Sequence, residues 1–87
     1  MKEKQFIIKD EMGLHARPAS LLVNEAVKYK SEIQLISKEN SVNLKSIMMV
    51  MSLGLQKGES FIISITGEDE DIAMDSINKI IEEEKIA

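Results

Sequence analysis

Between Phe6 and Ile81 the spacing of the apolar residues keeps changing, and that changing rhythm leaves few folds open to the chain. Phe6 and Ile8 stand two apart between Gln5 and Lys9 and read as the opening of a strand. Ala19, Leu22, Val23 and Ala26 then recur at steps of three and four, the stripe of an amphipathic helix. Alternation returns at Ile33 and Leu35, again at Val42 and Leu44, and most clearly at Phe61, Ile63 and Ile65. A last helical stripe runs through Ala73, Ile77, Ile80 and Ile81, with Glu68 to Asp71 placing acids at its start, where the helix dipole favours them. Ile47 to Leu53 is apolar on almost every side, and period alone does not separate helix from strand there. Ser46 before it has N-cap chemistry and Gly54 after it suits a helix stop, so a short helix is the better reading.

Breakers fall between these segments. Lys9 to Gly13 reads as a loop, Lys38-Glu39-Asn40-Ser41 and Gln56-Lys57-Gly58-Glu59 as turns, and Gly67 as a strand end. The order is therefore β-α-β-β-α-β-α, with a hairpin in the middle. Four strands and three helices in that order predict an α+β sheet with helices on one face. At 87 residues, with no linker, repeat or low-complexity stretch, the chain is expected to be one domain, residues 1–87.

Composition narrows the function. A net charge of −4 argues against nucleic acid, whose binders need a basic field. There is no cysteine, so disulfides, thiolate chemistry and cysteine-type zinc sites are excluded. No run approaches the roughly 20 apolar residues of a membrane span, and no secretory signal opens the chain. A cytoplasmic monomer without metal or cofactor is the expectation.

The only His, the only Arg and the only Pro of the chain lie together in GLHARPAS, residues 13–20. Pro18 suits the first turn of the helix, so the helix should start close to His15. Leu14 is a plausible buried anchor that holds His15 at the exposed helix end. Backbone N–H groups there lack partners and, with the dipole, form an anion site. The same end favours the neutral imidazole, whose free ring nitrogen is a nucleophile. Arg17 adds a fork of donors matched to phosphate oxygens, in a chain that otherwise uses ten lysines. Asp10 and Glu11 sit on the preceding loop, within possible reach of His15. Each residue alone has a plainer reading, as surface group, cap or helix starter; their coincidence points to phosphoryl chemistry.

GLHARPAS, followed at Asn43 by NLKSIM, resembles HPr, the histidine-containing phosphocarrier family of the bacterial phosphoenolpyruvate-dependent sugar phosphotransferase system. The resemblance covers essentially the whole chain. It implies an open-faced β-sandwich, a four-stranded antiparallel sheet with three helices on one face. It implies a phosphocarrier rather than an enzyme. His15 would take a phosphoryl group from phosphorylated enzyme I, on Nδ1, and pass it to the IIA domains of sugar permeases. Arg17 matches the family's phosphate-contacting arginine, and Ala16 and Arg17 its backbone contribution. Ser46 matches the serine phosphorylated by HPr kinase/phosphorylase. Phosphate at Ser46 would slow transfer through His15 and recruit a catabolite-control transcription factor.

Three side chains beside Ser46, namely Ile47, Met48 and Met51, are candidates for docking several partners, with Val50 turned inward. Met49 stands where relatives with this serine motif often have Gly, which bears on partner affinity. Two other readings remain: a regulatory module acting only through phosphorylated Ser46, which His15 argues against, and a nitrogen-branch carrier, which Lys45-Ser46-Ile47 disfavours. The acidic runs, Glu68–Asp71 and Glu82–Glu84, read as solvated helix ends.

Overall fold

The computed structural model describes residues 1–87, and the elements follow in the expected order. They are β1 (Lys2–Ile7), α1 (Ala16–Ala26), β2 (Glu32–Ser37), β3 (Asn40–Asn43), α2 (Ile47–Met51), β4 (Ser60–Thr66) and α3 (Glu70–Glu83). The four strands form one antiparallel sheet in the order β1-β4-β2-β3. β2 and β3 are the predicted hairpin. The other two connections cross over a strand. β1 and β2 flank β4 and are linked through α1; β3 and β4 flank β2 and are linked through α2.

Every strand sends alternate residues to the helix side. Phe6, Ile33, Leu35, Val42, Phe61, Ile63 and Ile65 are buried there with Ala19, Leu22 and Ala26 of α1 and Ala73, Met74, Ile77 and Ile81 of α3. Phe6 and Phe61 are register partners whose rings stack 5.4 Å apart. With only three aromatic residues in the chain, the rest of the interior is aliphatic, as composition requires. The opposite face carries Glu3, Gln5, Ile7, Glu32, Gln34 and Thr66 and stays open to water, the division expected of an antiparallel sheet.

Several boundaries differ from the periodicity reading. β1 begins at Lys2, not near Phe6, and Ile8 lies beyond its end. The alternation is masked because Lys2 and Lys4 occupy helix-side positions at the sheet edge. There their long stems reach over the rim, Lys2 to Asp71 at 3.1 Å and Lys4 to Asn78 at 2.6 Å. The hairpin turn is tighter than predicted, since Asn40 and Ser41 already pair in β3 and Lys38 takes a φ of 58°. Leu44 is buried but outside β3; its N–H reaches back to Ile33 O at 2.9 Å. α2 stops at Met51, two residues before the predicted end. Leu53 N–H and Gly54 N–H bond three residues back, to Val50 O and Met51 O, so the tighter turn replaces the helix.

α3 ends with a crossed pair of bonds, Ile86 N–H to Ile81 O and Lys85 N–H to Glu82 O, around Lys85 at φ 55°. Ile86 is buried by this turn, and its carbonyl accepts Lys9 N–H at 2.9 Å. The chain end is thus fastened beside the loop that precedes α1.

Candidate functional site

Loop 8–14 is held against the segment 55–59 that leads into β4. Ile8 N–H bonds Glu59 O, Gly58 N–H bonds Ile8 O, and Leu14 N–H bonds Leu55 O at 2.9 Å. Gly13 makes this possible in two ways. Its φ is +71°, and a Cβ there would collide with the Leu55 carbonyl and lie 2.8 Å from Gln56 Cα. Leu14 is buried, as an anchor should be, and His15 follows it to the surface.

His15 is the N-cap of α1, with extended backbone at φ −90° and ψ −172°. Its side chain makes no capping hydrogen bond. Its carbonyl accepts Ala19 N–H at 3.0 Å. The N–H groups of Ala16 and Arg17 have no partner within the protein, and Pro18, at the third helical position, has no N–H to offer. The open helix end therefore presents two adjacent donors beside an imidazole that is 28 % exposed. No enclosed pocket surrounds it; the site is a feature of open surface.

Of the two acids on the loop, the structure brings one to the ring. Asp10 Oδ2 lies 3.4 Å from His15 Nε2, while Asp10 Oδ1 accepts Met12 N–H at 2.9 Å. The Met12 N–H bond, with help from His15 and Arg17 and against partial burial, holds the Asp10 carboxyl below its ordinary range. Glu11 points elsewhere, to Lys57 Nζ at 2.6 Å. The Arg17 guanidinium is not on the ring either. It pairs with Glu84 Oε1 at 2.9 Å, just past the end of α3. Glu84 is thus more than a solvated helix end; nothing local in the acidic run Glu82–Glu84 marks which of the three Arg17 meets.

Ser46 caps α2, with Oγ accepting Met49 N–H at 3.4 Å. Val50 is buried, and Ile47, Met48, Met49 and Met51 are all exposed, Met48 by 80 %. α2 packs beside α1. Met12, on the loop before His15, is also exposed, an apolar tip that the sequence reading passed over as loop. An isolated Met between charged and glycine residues was the available signal. No helix is long and apolar enough to cross a membrane.

Comparison with known proteins agrees with this fold. The family described as "PTS HPr component phosphorylation site" matches residues 2–83. The phosphocarrier protein HPr of Lysinibacillus sphaericus is 42 % identical over 87 residues, which is 100 % of this chain and 99 % of that protein. A solved histidine-containing phosphocarrier protein from Mycoplasma superposes with a TM-score of 0.95 at 40 % identity, covering 98 % of this chain and 97 % of that one. The helix-covered antiparallel sheet expected from sequence is the same architecture. An HPr dimer from Thermoanaerobacter tengcongensis, 41 % identical over 100 % of this chain and 99 % of that one, superposes with a TM-score of 0.75.

Proposed function

The chain belongs to the HPr family of phosphotransferase-system phosphocarriers, and on that premise we propose that His15 is the atom-bearing stop of a phosphoryl relay. His15 accepts a phosphoryl group on Nδ1 from phosphorylated enzyme I and delivers it to the IIA domains of sugar permeases. The observation that carries this reading is the unfilled end of α1. The Ala16 and Arg17 N–H groups stand ready beside the ring, and charge arriving on His15 meets them and the helix dipole. Arg17 leaves Glu84 for the phosphate, since both are exposed and such a pair is worth only about 0–1 kcal/mol. The bound group is steadied by dipoles and a mobile cation rather than enclosed, which lets it depart.

The test is direct. Incubation with phosphoenolpyruvate and enzyme I should place an acid-labile phosphate on the protein, and His15→Ala should abolish it. Equal labelling of that variant would end the proposal.

Ser46 carries the regulatory half of the reading. Its hydroxyl sits at the start of α2, partly exposed, where a phosphate would take over the Met49 N–H that the hydroxyl now serves. HPr kinase/phosphorylase modifies it, and the phosphorylated form engages a catabolite-control transcription factor through Ile47, Met48 and Met51. A kinase assay with ATP, run on the same sample with Ser46→Ala as control, checks this. The protein acts as a cytoplasmic monomer; light scattering during gel filtration distinguishes that from the dimers known among its relatives.

A further inference from the structure

We propose that Asp10 is a positioning residue that keeps the His15 proton on Nε2 throughout the transfer cycle, leaving Nδ1 to present the lone pair. This rests on the phosphocarrier reading above. Asp10 Oδ2 lies 3.4 Å from Nε2. The carboxylate does not swing freely, because its other oxygen is tied to Met12 N–H and the Asp10 carbonyl accepts Gly13 N–H, both at 2.9 Å. An ionised carboxylate accepts hydrogen bonds and donates none, so it favours the tautomer whose N–H faces it. The other loop acid cannot substitute, since Glu11 is exposed and paired with Lys57.

The consequence for the chemistry is that no proton has to move. The Nδ1 pair forms the bond to phosphorus as the bond between phosphorus and the donor breaks, its pair staying with the donor. The phosphorylated ring keeps its N–H at Nε2 and carries a positive charge that faces Asp10. On discharge the pair of the N–P bond returns to Nδ1, and the leaving group is a neutral imidazole. With the proton on Nδ1, attack would first need a base. With Nε2 bare in the phosphorylated ring, the leaving group would be an imidazolate, which departs far less readily.

Two variants separate this role from a structural one. In Asp10→Asn the amide oxygen can keep the Met12 turn, so the amide NH2 faces Nε2 and donates to it. The ring should then carry its proton on Nδ1. Asp10→Ala loses the turn and leaves the ring unbiased. The nitrogen-15 spectrum of the unphosphorylated imidazole reads the tautomer, and quench-flow labelling by phosphorylated enzyme I reads the rate. We expect Asp10→Asn to move the N–H signature to Nδ1 and to label at least about tenfold more slowly than Asp10→Ala; where a histidine tautomer is obligatory such a change costs about 10⁴-fold. A parent-like ring spectrum in Asp10→Asn, or equal slowing of both variants, overturns the assignment. Failure of the parent protein to label would instead sink the phosphocarrier reading, while the ring spectrum would still judge Asp10.

Discussion

The starts of α1 and α2 part at one position, the third residue of the helix. Both caps, His15 and Ser46, have extended backbone. Ser46 spends its hydroxyl on the Met49 N–H, the third of its helix, and leaves the Ile47 and Met48 N–H groups open. His15 gives its side chain no such bond; the first two N–H groups of α1 are open as well, and Pro18 at the third position has none to cap. On an exposed surface, water meets such groups, so leaving them open costs the fold little. The difference teaches that a helix end can be used as a fastening or as a berth. A guest at the berth needs no displacement; a guest at the fastening must replace a bond the fold already makes.

Exchanging the caps should break the contrast most visibly. His15→Ser is expected to remove all labelling from phosphorylated enzyme I, yet to hold or raise the thermal midpoint, since serine can close the open end. Labelling and melting of one preparation check both halves; a midpoint several degrees lower would mean that the imidazole itself fastens α1. Next in size, Arg17→Lys should slow phosphoryl transfer by about tenfold, because an ammonium lacks the paired donors of the guanidinium. Its stability should stay within about 0.5 kcal/mol of the parent, as expected for an exposed site. Quench-flow rates and denaturant melts measure the two. Ser46→Ala should do the reverse, costing about 1 kcal/mol, or roughly 4–8 °C in a domain this size, with labelling at His15 intact.

The start of α3 supplies the smallest test. Asp69, its N-cap, turns its carboxylate to the Ser31 hydroxyl and to the N–H groups of Lys30 and Ser31. The Ser31 hydroxyl first, then the Lys30 N–H, hold that carboxyl below its ordinary value of 3.8. The folded state therefore takes up the proton less readily than the unfolded one. The stabilisation is whole above about pH 4 and is lost as pH falls through the lowered folded value. Asp69→Asn should flatten the acid limb of midpoint against pH, followed by circular dichroism. An unchanged limb would show that this end, too, is indifferent to its charge.

How much of this was readable beforehand depended on range. The stripe Ala19-Leu22-Ala26 and the alternation at Phe61-Ile63-Ile65 announce their elements because burial on one face is a local pattern. The His15 environment was readable for the same reason: Gly13, Leu14 and Pro18 fix the helix entry within a few residues. What the sequence hid was set by distant partners. Lys2 and Lys4 mask a strand because their companions, Asp71 and Asn78, belong to α3. The pairing of Arg17 with Glu84 depends on where α3 stops, and the choice of Asp10 over Glu11 depends on a turn bonded to Met12 and a lysine at 57.

The two interlaced crossovers have a temporal consequence. Phe6 waits for Phe61, and Leu14 waits for the carbonyl of Leu55, before either can be seated. Contacts so far apart in the chain form late. During synthesis the imidazole leaves the ribosome well ahead of the strand that gives it a rigid backing. Half-made molecules therefore display a histidine before the surroundings that position it exist. Competence arrives all at once, with the second half of the chain.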